Sequence, residues 1–210
     1  MIKKSALAIL LSVSVALLSG CSDPEEEAKE HEEALAKTLS EQTLAEYRGT
    51  VWNDSNSEVL KLYLKKNSIP ETEFDGFRRC LIEYANTKSS TLKTTDVLGW
   101  CSREYKDIPQ RYKSHVDLLP FFGQFSAWDG AFMPTEKALK KTLNDPDSYK
   151  HDESSYRLHL NPAKKGEAPY AIVTTRFRAK NGFGAYMRGS VVVKFNLKTT
   201  EMSIIDTQGI

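Results

Sequence analysis

Tyr170–Asn196 reads YAIVTTRFRAKNGFGAYMRGSVVVKFN, and its pattern decides the architecture of the C-terminal part of the chain. Val173 and Phe177 in the first run, and Val191, Val193 and Phe195 in the second, recur at even spacing. A period of two places such residues on one face of a strand. Strands are therefore predicted over Tyr170–Ala179 and Met187–Asn196, joined by a turn at Lys180-Asn181-Gly182. Upstream, Ser154–Leu160 ends at Asn161-Pro162. Downstream, Leu197-Lys198-Thr199-Thr200 leads into Glu201–Asp206. Short connections between four strands give an antiparallel meander.

A short helix over Thr135–Asn144 precedes the strands, with Ala138, Leu139, Thr142 and Leu143 inward. It stops at Asp145-Pro146, because the residue before a proline is pushed out of the helical region. Residues 135–210 thus form an α+β unit in which the helix packs on one face of the sheet.

The N-terminal half is helical. Ser22–Arg48 reads as an acidic helical tether, with Pro24 at its start, Glu25, Glu26 and Glu27 in its first turn and Gly49 as its stop. Only Leu35 and Leu39 form its apolar stripe. Asp54–Lys66 is a second helix carrying Val59, Leu60, Tyr63 and Leu64. A third opens at Pro70, with Phe74, Phe77, Leu81 and Tyr84 along one face. Thr94-Thr95-Asp96 starts a fourth, bearing Val97, Leu98, Trp100, Cys101 and Tyr105. From Ile108 to Pro134 there is no period, but Leu118, Leu119, Phe121, Phe122, Phe125, Trp128, Phe132 and Met133 crowd together. Such a segment either contacts a ligand or lipid or packs the two halves together. The second is favoured, because large exposed apolar patches are uncommon.

Composition is that of an ordinary globular protein, with a formal net charge of +1 over 210 residues. The balance hides a dipole. Residues 21–134 hold 14 Lys/Arg against 20 Asp/Glu, and residues 135–210 hold 13 against 8. Nucleic acid is not expected as a partner, since the basic excess is small and the aromatics fall on the inward strand positions.

The first residues carry an address. Lys3 and Lys4 precede an apolar run from Ala6 to Leu18, too short for a lasting transmembrane helix, and Leu18-Ser19-Gly20-Cys21 follows. This resembles the lipobox of bacterial lipoproteins. The resemblance implies that residues 1–20 are a signal peptide and that Cys21 becomes the acylated first residue, holding the protein in the membrane by palmitate-type chains. Ser22, rather than aspartate, follows that cysteine, which implies sorting to the outer membrane, facing the periplasm. Residues 21–49 are then the acylated cysteine and its tether, and residues 50–134 the helical region.

With Cys21 assigned to lipid, Cys80 and Cys101 remain, and an even remainder in an oxidising compartment reads as one disulfide. A metal site is the rival, but two cysteines so far apart with no neighbouring histidine make no zinc ligand set. Phe77–Tyr105 and Leu143–Val193 further resemble modules of uncharacterised proteobacterial exported proteins, a likeness that carries no activity.

Candidate chemistry is sparse. With the apolar strand positions turned inward, Arg157, His159, Arg176, Arg178, Arg188 and Lys194 share the opposite sheet face, a candidate anion-binding surface. The plain alternative is a solvated face. Asp145, Asp147, His151 and Asp152 lack the spacing of a calcium loop, so no metal site is expected. The four histidines sit in no nucleophile or metalloprotease motif, so no catalytic residue and no cofactor are expected. Phe183 stands between Gly182 and Gly184, where it either inserts into a partner or bilayer or is incidental to a glycine-rich turn.

The expected protein is a lipid-anchored envelope binding or adaptor protein, recognising an envelope protein or an anionic glycan or lipid. An inhibitor or immunity protein acting on a toxin, phage or envelope enzyme is the first alternative, and a cryptic periplasmic hydrolase the second.

Overall fold

The computed structural model describes residues 24–51 and 53–209, so the segment expected to be a signal peptide and Cys21 lie outside the described residues. Helices fill the N-terminal half: α1 Pro24–Glu41, α2 Leu44–Gly49, α3 Asp54–Lys66, α4 Phe74–Thr87, α5 Thr94–Asp107, α6 Pro109–Ser114, α7 Leu119–Phe122 and α8 Met133–Lys140. Four strands follow: β1 Lys150–His159, β2 Tyr170–Lys180, β3 Tyr186–Asn196 and β4 Met202–Gln208, in the sheet order β1-β2-β3-β4. All neighbouring pairs are antiparallel. The α+β class and the meander read from the strand pattern are those of the folded chain. No described helix is long and apolar enough to cross a membrane.

The acidic N-terminal segment differs from the single helix expected over Ser22–Arg48. It breaks after Glu41, and Thr43 caps a new helix through a reciprocal capping box with Glu46. Thr43 also bridges to Lys93, and Thr94 N–H donates to the Gln42 carbonyl. These bonds pin the break to the start of α5. Leu44 and Tyr47 of α2 are buried, so this part of the tether belongs to the hydrophobic core. Gly49 ends α2, as its position predicts.

The third and fourth helices match the expected stripes closely. Phe77, Cys80 and Leu81 of α4 and Val97, Leu98 and Cys101 of α5 are buried, and the Cys80–Cys101 disulfide staples the two helices. Helix α8 begins two residues earlier than Thr135 and ends at Lys140, four residues short of Asn144. Pro134 sits in its first turn, where its missing N–H costs nothing. Pro146 then opens a single 3₁₀ turn rather than extending the helix.

One contiguous buried cluster runs from Leu39 to Leu197 and joins both halves. Its centre is the aromatic segment that shows no period. Phe121 packs against Phe122, Phe125 and Phe132 of its own segment and against Tyr156 and Phe195 of the sheet, with ring centroids 5.3–6.0 Å apart. The segment is the packing layer between helices and sheet. Its irregular path lets short-range aromatic contacts from both sides meet without a fixed helical or strand period.

Candidate functional site

Strand register fixes which side chains share the outer sheet face. Arg157 pairs with Ile172, His159 with Tyr170, Arg176 with Ser190, Arg178 with Arg188 and Ile172 with Lys194. Because alternate residues point to one side, all six predicted residues lie on the same face. Ala171, Val173, Thr175, Phe177, Val191, Val193 and Phe195 point the other way and are buried. Val173, Phe177, Val191, Val193 and Phe195, expected inward from their spacing, are all buried, whereas Tyr156 and Leu158 on the β1 edge strand remain partly exposed.

The face is less uniformly positive than its cations imply. A bulge in β1 between His151 and Glu153 brings two acids onto it. Arg176 pairs with Glu153 at 3.1 Å and Arg178 with Asp152 at 2.8 Å. Lys194 is held by Glu167 at 2.5 Å and lies 4.1 Å from the Tyr170 ring centre. That carboxylate keeps the Lys194 ammonium charged above the usual lysine range. His159 stacks on Tyr170, the rings 4.6 Å apart and nearly parallel. Among the described residues, Arg157 and Arg188 have no carboxylate partner.

Two cavities open on this face. The larger, of ≈ 600 Å³, is lined by Arg176, Arg188, Asp152, Glu153, Ser190 and Gln208 among others. The second, of ≈ 340 Å³, holds Arg157, His159, Ser155 and Thr174. Both are open to solvent and offer guanidinium groups beside hydroxyl groups, the larger adding the Gln208 amide.

Elsewhere the structure disperses the acidic group expected near the helix end. Asp145 faces Lys180 at 3.8 Å, Asp152 pairs with Arg178, and Asp147 lies exposed in the 3₁₀ turn. His151 instead lies 2.9 Å from Ser154 Oγ through Nε2, with Nδ1 3.8 Å from Asp129. The order Asp129–His151–Ser154 has the outline of a hydrolytic triad. However, Ser154 Oγ also accepts from the Phe132 N–H and contacts the Thr175 hydroxyl at 3.2 Å. Its hydrogen-bonding capacity is filled, and the arrangement ties the turn before α8 to β1.

A second polar cluster has no counterpart in the sequence reading. His115, with no side-chain exposure, sits between Glu104 of α5 and Glu83 of α4. Arg111 reaches Glu83 at 2.6 Å, the Val116 N–H donates to Glu83 at 2.8 Å, and Tyr84 donates to Glu104. A signal was present: Glu83 lies between inward residues of α4, and Glu104 sits three residues after Cys101 on the buried stripe of α5. Charges at core positions require partners. Among the described residues, Cys80, Glu104 and His115 also form a grouping of metal-ligand type within 4.8 Å. With the sulfur of Cys80 in the disulfide and both Glu104 oxygens engaged, the grouping does not fit a metal.

Comparison with protein-family models, curated proteins and solved structures gives no match for this chain.

Proposed function

We propose that the chain is a lipid-anchored outer-membrane protein of binding or adaptor type, facing the periplasm and taking an anionic envelope ligand on its open sheet face. The observation that carries the reading is Arg188. It stands beside Arg176 over the ≈ 600 Å³ cavity, with no carboxylate partner among the described residues. Guanidinium groups lining one cavity can offer bidentate contacts to a phosphate or carboxylate.

Existing ion pairs do not bar such a ligand. The Arg176–Glu153 pair is 68% and 59% exposed, so water screens it and it contributes little to stability. A phosphate entering the cavity meets Arg188, which has no carboxylate partner among the described residues, and Arg176, only weakly held, with Asp152 and Glu153 also in the lining. The Leu18-Ser19-Gly20-Cys21 resemblance supports the anchoring half of the reading. On that reading the ligand lies within the envelope, where phosphorylated lipopolysaccharide and acidic wall polymer present the required groups.

The test is binding of lipopolysaccharide, and separately of muropeptides, to the full chain. Arg176→Glu with Arg188→Glu is expected to abolish binding while leaving the thermal midpoint unchanged. Unaltered binding by the double variant overturns the sheet-face reading. Metabolic labelling with a palmitate analogue tests the anchor. Label that persists in a Cys21→Ser chain overturns that half.

A further inference from the structure

Among the described residues, the two most exposed aromatic side chains are Phe183, at 98%, and Trp128, at 97%. Neither is on a floppy stretch. Phe183 is the apex of the β2–β3 hairpin, which is closed by the Asn181 N–H donating to the Ala185 carbonyl. The Asn181 side chain accepts from the Phe183 and Ala185 N–H groups, and Gly184 takes the positive φ of +82° that the turn needs. Trp128 is built the same way. Ser126 Oγ accepts from the Trp128 and Asp129 N–H groups, and the Ser126 N–H donates to the Ala131 carbonyl. Each turn spends its hydrogen bonds on holding a bare aromatic ring in solvent.

Both turns rise from one end of the sheet. Lys150, the first residue of β1, lies 5.1 Å from the Tyr186 ring centre at the base of the hairpin. The next residue, His151, faces Asp129 of the Trp128 turn. Lys180 also lies 5.7 Å from the Tyr186 ring, and half-exposed Met187 follows it. The end therefore carries two protruding rings, a tyrosine belt residue and two lysines. Acids share this end: Asp145 faces Lys180, Asp129 accepts from the Ala131 N–H, and Asp147 is exposed in the turn before β1, while Lys150 has no carboxylate partner among the described residues.

We infer that this end of the sheet docks on the surface of a phospholipid bilayer, with Phe183 and Trp128 as wedges. A lipid surface fits better than a protein partner. The rings stand singly on convex turns rather than in the continuous complementary patch that a stable protein interface needs. A bilayer demands no matching shape. It takes isolated aromatic rings at its interface and attracts lysines beside them. The inference is independent of the sheet-face ligand, and either can fail without the other.

The test reconstitutes the full chain in vesicles of phosphatidylethanolamine and phosphatidylglycerol carrying brominated acyl chains. Bromine quenches only tryptophan that reaches the acyl boundary. The expected result is a quenchable emission component that disappears in Trp128→Phe. In the Trp128→Phe background, Phe183→Trp is expected to restore it. Emission that bromine leaves unchanged in the parent chain and in the Phe183→Trp chain overturns the inference, whether or not the protein floats with the vesicles. A Phe183→Trp ring shielded only on addition of an envelope protein fraction points to a protein partner and overturns it equally.

Discussion

His115 Nε2 and Glu104 Oε2 meet 2.6 Å apart inside the helical half, both side chains shielded from water. On the other side of the ring, His115 Nδ1 lies 3.2 Å from Glu83, near enough for charge attraction but not aligned for a hydrogen bond. Arg111 completes the set. Two carboxylates, a guanidinium and an imidazole thus tie α4, α5 and the segment after α6 together. Removing one member strands the others in a poorly solvating place.

Acid sensitivity follows from Glu83. Burial, the largest single influence, raises its pKa. The His115 ring beside it, the Val116 N–H and Arg111 together outweigh burial and hold the carboxyl below its ordinary 4.5. A depressed carboxylate contributes stability that is fully present above that ordinary value and is lost as the pH falls through the folded value. Urea midpoints measured from pH 7 downward are expected to hold and then fall below about 4.5. Glu83→Gln is expected to cost about 3–5 kcal/mol at neutral pH and to flatten that acid limb. A variant whose acid limb matches the parent's would show that Glu83 does not govern it.

Gly76 lies in α4, where alanine ordinarily adds up to about 1 kcal/mol of helix stability. Here the gain is blocked. A Cβ at Gly76 would stand 2.1 Å from Tyr112 Oη, whose ring packs edge-on against Phe77 and whose hydroxyl donates to Glu73. Gly76→Ala is expected to lower the thermal midpoint. Gly76→Ala with Tyr112→Phe is expected to recover part of the loss, because the phenyl ring lacks the clashing oxygen. A single variant as stable as the parent would mean that the tyrosine swings aside freely.

The Cys80–Cys101 bridge closes a loop with a sequence separation of 21. Chain entropy assigns a loop of this order roughly 3 kcal/mol. Reduction under native conditions, or replacement of both cysteines by alanine, is expected to lower the denaturant midpoint by an amount of that size. Both sulfurs are buried, so reductant is expected to act slowly until partial unfolding exposes them. Fast reduction without loss of stability would mean that the bridge contributes little.

Much of the sheet was legible because a strand reports its faces directly. Val173, Phe177, Val191, Val193 and Phe195 alternate with Arg176, Arg178 and Lys194, and pairing can only align like with like. The same logic gave the helical stripes through Phe77 and Leu98. Less could be read of the segment from Leu118 to Phe132, whose contacts run in several directions at once. Nor did the residue pattern show that Asp152 and Glu153 would meet Arg178 and Arg176. That depends on a one-residue bulge in β1, a local backbone choice with no side-chain period of its own.

Local order in the chain therefore determined the element types, the meander and the face on which the cations lie, since each depends on spacing along one segment, while the cysteine pair was read from the cysteine count. Tertiary structure decided which cations kept their charge unmatched, where His115 found its two carboxylates, and that Phe183 and Trp128 stand out from the same end. Those outcomes require residues far apart in sequence to come within a few ångströms. Only the packing of helices against the sheet through the Phe121 cluster sets such distances.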